Sequence, residues 1–245
     1  MPDIEAAKAF YGAVLGWSSF VDTGEQFGHY TLCQAGGRNA AAIGMVQSEE
    51  EPSAWTVYLA SDDADRTLGL IRDNGGTIVH GPLEIPDSGR MAVAQDPQGA
   101  HFGVWQGAGM VGTELYLEPG ALAWTDVRSS DADAGRAFYA AVAGYRYEPM
   151  EMEGAPADYT TIHFDAARDG EAVGGIGGMM GAPEGTPSHW LPYFSVADAD
   201  AAASAATTGG GTVLGEPLDT PFGRMTTITD PVGATFVVVG PPPSA

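Results

Sequence analysis

A hairpin that occurs twice constrains this chain more than any other feature. The first copy, DPQGAHFGVWQ, runs from Asp96 to Gln106, and the second, DPVGATFVVVG, runs from Asp230 to Gly240. Asp-Pro-x-Gly has the composition of a tight turn, because Asp can bond its own backbone, Pro presets φ and Gly accepts positive φ. The apolar run after each turn predicts a buried strand. Two copies of one hairpin predict two copies of one domain.

A helix pattern also occurs twice. Residues 3–17 predict a helix with Asp3 as N-cap and Gly16 as its end, because the apolar residues fall on one face. The segment at 130–145 repeats it: FYAAVAGY in the second copy corresponds to FYGAVLGW in the first. Each helix is followed by two short strand candidates.

Strand–helix–strand segments complete each half. WTVYLAS begins at Trp55 and WLPYFSV begins at Trp190; each precedes a helix that ends in Gly-Gly and a strand pair that enters the repeated hairpin. Arg90 and Arg224 occupy equivalent positions, and their recurrence predicts a shared structural bond, for example to the turn Asp or a loop carbonyl. The predicted organisation is domain 1 at 1–109 (units 3–47 and 53–106), a linker at 110–119, domain 2 at 120–240 (units 120–181 and 188–240) and a tail at 241–245.

One strand is missing from this pattern. ALAWTDVRS, residues 121–129, predicts a strand before the third unit's helix, whereas only Met1 and Pro2 precede the first helix. Either the native chain starts upstream, or the first domain leaves a sheet edge that something must cover.

Charge and cysteine content narrow the function classes. With 32 acidic and 10 basic residues, the formal net charge is −22, which disfavours nucleic acid and anionic membranes as partners. Solubility explains this charge more simply than attraction of cationic ligands does. The single cysteine, Cys33, excludes an internal disulfide and is expected to be a small core side chain. Without a signal peptide or an apolar run of membrane length, we expect a cytoplasmic protein.

The repeated motifs resemble the vicinal oxygen chelate superfamily, which includes glyoxalase I, bleomycin resistance proteins, extradiol dioxygenases and fosfomycin resistance enzymes. FYGAVLGW and FYAAVAGY, the Gly-rich helix ends and the two DPxG hairpins carry the resemblance. It implies an α+β fold in which four βαβββ units pair into two half-barrel domains, the first strand of domain 1 being absent. Each domain would cup a ligand or a metal.

The resemblance also implies positions for metal ligands, and these positions lack suitable donors. Counting from the hairpins and helices, the implied positions carry Gly44, Thr56, Gly103, Trp124, Gly177, Leu191 and Val237. Divalent metals in such sites need imidazole or carboxylate groups, and only Thr56 has even a weak oxygen donor. We therefore expect no metal and no other cofactor.

Strand alternation predicts which side chains line the cups. In the first domain, small residues at Gly44 and Gly103 are expected to leave room where a metal would sit. We expect the ligand there, with contacts to Gly44, Thr56, Tyr58, His101, Gly103, Trp105 and Trp124. Three side chains of the second domain could act as general acid or base: His189, Asp126 and Tyr193. The alternative for Asp126 is a structural pair with Arg128 or another arginine.

Two hypotheses for function follow. The first is a protein of the bleomycin-resistance kind that binds a small aromatic or cationic molecule in an apolar cup. The second is an enzyme, either a metal-independent isomerase, lyase or hydroxylase-like catalyst or a metal enzyme with relocated ligands, for example in natural-product tailoring. A third arrangement, in which one domain binds and the other is a scaffold, also remains open, as does a homodimer.

Overall fold

The computed structural model describes residues 2–46, 53–152, 156–165 and 170–242, and within these ranges it contains four α-helices and fifteen β-strands. Most of the predicted tail, residues 243–245, lies outside them. None of the helices in these ranges is long and apolar enough to span a membrane. The elements fall into four consecutive modules, and the predicted α+β class is confirmed.

The modules repeat the same order of elements. The first contains α1 (Ile4–Leu15), β1 (Ser19–Asp22), a short 3-10 helix (Glu25–Phe27), β2 (Thr31–Ala35) and β3 (Arg38–Ile43). The second contains β4 (Tyr58–Ala60), α2 (Ala64–Asp73), β5 (Thr77–Ile85), β6 (Gly89–Gln95) and β7 (His101–Gly107). The third contains β8 (Leu122–Arg128), α3 (Ala132–Ala143), β9 (Arg146–Pro149), β10 (Thr160–His163) and β11 (Gly174–Gly177). The fourth contains β12 (His189–Ser195), α4 (Ala199–Thr208), β13 (Thr212–Thr220), β14 (Gly223–Thr229) and β15 (Thr235–Gly240).

Each helix begins at an aspartate whose carboxylate accepts a backbone N–H of the first turn. The four N-cap residues are Asp3, Asp63, Asp131 and Asp198. This bond satisfies one of the amides that a helix start leaves without a partner. Helices α1 and α3 end at Gly16 and Gly144, both in the left-handed conformation that glycine adopts without strain.

Two sheets of the middle modules matter for the site. In the second module the strand order is β4-β7-β6-β5, with β4 parallel to β7 and Tyr58 opposite Gly103. In the third module β9, β10 and β11 are antiparallel, and β11 runs parallel to β8 with Gly175 opposite Asp126. The first module has a three-stranded sheet in the order β1-β2-β3.

The described residues form two compact units. Unit one comprises those within Met1–Trp55, Gly112–Ala123 and Pro192–Ala245, and unit two comprises those within Thr56–Val111 and Trp124–Leu191. Unit one thus combines the first and fourth modules, and unit two combines the second and third. The units therefore do not follow the two halves of the sequence repeat, and the boundaries 1–109 and 120–240 stay a prediction.

One hydrogen bond recurs in both units and joins the repeated motifs. In unit one, Tyr11 Oη donates to Asp230 Oδ2 over 2.8 Å; in unit two, Tyr139 Oη donates to Asp96 Oδ2 over 2.9 Å. The other oxygen of each aspartate accepts two backbone N–H groups of its own turn. Each turn aspartate therefore organises its hairpin and also binds a helix that comes from the other half of the sequence.

Aromatic rings surround each of these tyrosines. In unit one the Tyr11 ring contacts the rings of Trp17, Trp55 and Phe236. In unit two the Tyr139 ring contacts those of Phe102, Phe138 and Trp190, and Trp190 Nε1 donates to Tyr139 Oη over 2.9 Å. These rings lie in the two hydrophobic cores. The Tyr–Asp bonds are consequently shielded from water.

Arg90 and Arg224 have structural bonds, as predicted, but not to the partners we expected. Arg90 pairs with Asp65 and Glu84, and Arg224 pairs with Asp200 and Asp219. Each arginine starts a strand beside the first turn of α2 or α4, so it reaches the helix and the adjacent strand rather than the turn aspartate. Cys33 is fully buried in the core of unit one, and burial raises the pKa of its thiol to about 12.

The predicted linker packs on the first module's sheet. The Glu114 backbone N–H donates to the Asn39 carbonyl, and the Asn39 N–H donates to the Glu114 carboxylate. Arg38 of β3 forms two hydrogen bonds with Glu118, and Leu115 is buried in the core of unit one. These bonds cover part of the sheet edge that the sequence pattern leaves open.

Replacing Tyr139 by Phe removes the donor to the buried Asp96 carboxylate. We expect the free energy of unfolding to fall by about 1–3 kcal/mol, the cost of leaving a buried polar group unsatisfied. Urea unfolding followed by circular dichroism measures it. Tyr147→Phe is the matched control, because Tyr147 Oη is buried without a hydrogen-bond partner among the described residues. That variant should be neutral or stabilising, and equal losses in both variants would contradict the assignment.

Stability should decrease at high pH. Burial, reinforced by the neighbouring carboxylates, raises the pKa of Tyr11 and Tyr139 far above the ordinary value of 10.0, and burial raises the pKa of Tyr145 to about 12. These tyrosine pKa values are higher in the folded protein than in the unfolded chain. Their contribution to the free energy of unfolding is therefore complete below about pH 10 and is lost as pH rises. Above that pH, the free energy of unfolding should fall by about 1.4 kcal/mol per pH unit for each tyrosine that stays protonated in the folded state.

Urea unfolding at several pH values between about 9 and 12 tests this slope. The double variant Tyr11→Phe/Tyr139→Phe should show a smaller slope than the wild type. A free energy of unfolding that does not change with pH in this range would contradict the assignment.

Candidate functional site in unit two

The strands of unit two have one face in the core and one open face. In β7, Phe102 and Val104 belong to the core, and in β8 and β11 Val127 and Ile176 do. Successive side chains of a strand point to opposite faces. The residues that alternate with these core residues therefore lie on the opposite face of the strands, which we call the open face.

The first wall of this open face consists of Tyr58, His101, Gly103 and Trp105. A Cβ atom on Gly103 would lie 2.2 Å from the Tyr58 ring, so the ring lies across the Gly103 backbone. Tyr58 is 39% exposed, His101 is exposed, and Trp105 is half-buried with its Nε1 donating to the Met110 carbonyl. Thr56 is exposed just before β4.

The expectation that Gly103 leaves room for a ligand is wrong. The parallel register places Tyr58 directly opposite Gly103, and the tyrosine ring occupies the space that the missing side chain leaves. Gly44 has a similar neighbour, since its Cβ would lie 3.3 Å from the Tyr30 ring. Gly44 belongs to unit one, however, so the structure does not group it with the other predicted ligand contacts, which all lie in unit two.

The second wall consists of Trp124, Asp126 and Arg128 of β8 together with Tyr159. Asp126 is 2% exposed. Its Oδ1 accepts hydrogen bonds from Tyr159 Oη at 2.8 Å and Trp124 Nε1 at 3.0 Å, and its Oδ2 accepts one from Arg128 at 2.7 Å. The structural pair that we considered for Asp126 is therefore present. The carboxylate is both buried and charge-compensated, and three donors hold it in one orientation.

Tyr159 is the site residue that the sequence analysis missed. Its hydroxyl reaches Asp126 because Gly175 lies between them on β11: a Cβ there would lie 1.8 Å from Tyr159 Oη and 2.7 Å from Asp126 Oδ1. Gly175 is opposite Asp126 on one side and Thr161 on the other. The glycine run GGIG, together with the tyrosine that immediately precedes β10, was the available signal, but only the strand register relates the two.

The three predicted acid–base residues do not form one group. Asp126 and His189 belong to unit two, whereas Tyr193 belongs to unit one and pairs with Val237 in the register of β12 and β15. The His189 Nδ1–H donates to the Pro187 carbonyl over 2.8 Å. Asp126 is embedded in a hydrogen-bond network on the open face.

The donor set of unit two does not fit the metal that the resemblance implies. The implied ligand positions in unit two carry Thr56, Gly103, Trp124, Gly177 and Leu191, and four of these five side chains have no oxygen, sulfur or imidazole donor. Across the described ranges, no three His, Cys, Asp or Glu residues are grouped as metal ligands would be. We derive no chemical step through a metal, and its absence from the protein stays a prediction.

Comparisons with known proteins identify the family. Residues 1–104 match the family model described as glyoxalase/bleomycin resistance protein/dioxygenase superfamily, and residues 124–239 match the model of a glyoxalase-like domain. The "Putative glyoxylase CFP32" of Mycobacterium tuberculosis is 37% identical, with 98% of this chain and 92% of the relative covered. The anthracycline biosynthesis protein DnrV of Streptomyces peucetius is 32% identical, with 97% of this chain and 89% of the relative covered.

Solved structures show the same fold. The Mn(II)-bound glyoxalase from Novosphingobium aromaticivorans aligns with a TM-score of 0.64 at 16% identity, covering 97% of this chain and 78% of that one. The 2,3-dioxygenase LapB from Pseudomonas sp. KL28 aligns with a TM-score of 0.62 at 14% identity, covering 98% and 89%. Together with the repeated modules, these matches confirm the resemblance drawn from the sequence motifs: the chain belongs to the glyoxalase/bleomycin resistance protein/dioxygenase superfamily.

Proposed function

We propose that unit two binds a small aromatic organic molecule on its open face, between the first and second walls. The observation that carries this proposal is the aromatic character of both walls. Tyr58 is exposed, and Trp105 and Trp124 are half-buried. Exposed rings on a rigid sheet offer large apolar contact area at little cost in conformational entropy.

The polar groups near these rings support the same proposal. Sites for small molecules combine apolar walls with a few fixed polar groups, and the second wall contains such a network around Asp126. In unit one, the implied ligand position on β15 carries Val237, which is 4% exposed and apolar. This asymmetry favours unit two as the binding unit and unit one as a scaffold.

The names of the relatives suggest a ligand class. Two Streptomyces relatives at 32% identity are named anthracycline biosynthesis proteins, and an anthracycline contains a flat fused-ring system. A flat aromatic natural product matches the rings of the two walls in shape and polarity. We therefore propose this class as the ligand.

Calorimetric titration with an anthracycline and with its aglycone tests the proposal. Tyr58→Ala and Trp124→Ala should each weaken binding by about tenfold, because each removes a stacking ring worth roughly 1.4 kcal/mol. Trp124→Phe, which keeps a ring, should retain most of the affinity. Phe222→Ala is the control, since Phe222 is 60% exposed but lies in unit one. Equal losses in Phe222→Ala and Tyr58→Ala, or no binding to the wild type, would refute the proposal.

A second candidate function is metal-independent catalysis of the isomerase, lyase or hydroxylase-like kind. It is favoured by one observation, a carboxylate that is almost fully buried on an open face and bonded to the Tyr159 hydroxyl. Buried ionisable groups in such places are candidates for proton transfer. In this function the Asp126 carboxylate acts as a general base toward the substrate while Tyr159 and Arg128 orient it.

Incubating the protein with an anthracycline or its aglycone in buffer with EDTA, followed by mass spectrometry, tests catalysis. We expect product formation that persists in EDTA and falls about a hundredfold in Asp126→Asn, the scale of general acid–base catalysis. Phe222→Ala should keep the wild-type rate. If no product forms, or if EDTA abolishes its formation, metal-independent catalysis is refuted, and binding alone remains.

A further inference from the structure

We infer that the site proposed in unit two selects uncharged aromatic ring systems over cationic or anionic ones. The inference rests on the proposed function and specifies its ligand class. It follows from the pairing of Asp126 with Arg128 on the second wall. The net charge of −22 alone would favour a cationic ligand, whereas the paired charges of Asp126 and Arg128 favour an uncharged one.

The two charges of the second wall compensate each other away from bulk water. Arg128 and Asp126 are 2.7 Å apart, with side chains that are 13% and 3% exposed. Trp124 and Tyr159 also donate to the carboxylate. Because the Asp126 side chain is only 3% exposed, a ligand ammonium group could reach its carboxylate only by displacing one of the surrounding side chains, and displacing Arg128 would leave a buried cation without its partner.

The charged side chains of β9 are exposed to solvent. On β9, Arg146 pairs with Asp165 at 3.0 Å, and Glu148 lies 3.7 Å from His163 Nε2. Arg146 and Glu148 are more than half exposed, so water and salt screen them. The first wall contributes tyrosine, tryptophan, glycine and histidine side chains and no carboxylate. A charged ligand would lose hydration on this face without gaining a partner of opposite charge, and an uncharged ring has no such cost.

Long-range attraction does not change this conclusion. The acidic surface raises the local concentration of cations and speeds their encounter with the protein. At ordinary ionic strength, salt largely screens interactions between charges that are more than about 10 Å apart. Affinity at the site depends on contacts with the two walls. Among the residues described above, the walls contain no buried charge that lacks an opposite charge beside it.

Three anthraquinones with the same ring system provide a direct test: the hydroxymethyl, aminomethyl and carboxy derivatives. Calorimetric titration of the wild-type protein should give the hydroxymethyl compound about tenfold tighter binding than either charged compound, because only the charged ones lose hydration without compensation. Measurements at low and high salt separate contact affinity from long-range attraction.

Variants of the ion pair sharpen the test. Arg128→Gln leaves Asp126 uncompensated and should move the preference toward the aminomethyl compound by about tenfold. The double variant Asp126→Asn/Arg128→Gln removes both charges and should keep the wild-type order of affinities for the three compounds. It keeps the test informative if the single variant does not fold. Arg66→Gln is the control: it changes the net charge equally, but Arg66 is an exposed residue of α2. Its order of affinities should equal that of the wild type.

The outcomes separate this inference from the proposed function. If the aminomethyl compound binds the wild type as tightly as the hydroxymethyl compound or more tightly, the inference is overturned while aromatic binding stands. If the control variant changes the order as much as Arg128→Gln does, net charge rather than the ion pair sets selectivity, and the inference is also overturned. If none of the three binds, the proposed function itself fails.

Discussion

The hydrogen bond between a helix tyrosine and a turn aspartate is the interaction on which the rest of the structure depends. Asp96 and Asp230 each hold their own hairpin through two backbone amides and accept a tyrosine hydroxyl with the other oxygen. Each bond lies among aromatic rings, where an unsatisfied carboxylate would be costly. Because tyrosine and aspartate come from opposite halves of the sequence, the bond determines which modules share a core.

The composition of the site follows from that arrangement of modules. Unit two brings together β4 and β7 of one module with β8 and β11 of another. In both modules a glycine on the open face lies beneath a tyrosine: Gly103 under Tyr58, and Gly175 beside the Tyr159 hydroxyl. A Cβ at either position would overlap the ring or the hydroxyl unless the tyrosine side chain moved. The positions that the superfamily resemblance assigns to metal ligands thus belong to an aromatic surface with one compensated ion pair.

Local and global electrostatics have different consequences in this protein. The acidic surface acts at long range and is screened by salt. The pair formed by Asp126 and Arg128 acts at contact distance, and burial protects it from screening. For these reasons we connect the surface charge with solubility and encounter, and the ion pair with the choice of ligand.

The sequence by itself determined the four modules, their helix caps and the DPxG turns, because these depend on local chemistry that each copy contains in full. Strand alternation, which is a local property, also led to the prediction that Tyr58 and Trp124 line a cup. Only the tertiary structure decided which module pairs with which, because the repeated motifs are equivalent in sequence and either copy of the aspartate could bind either tyrosine. It also decided the role of Tyr159, which reaches Asp126 across Gly175 through a register of three strands that no local pattern specifies.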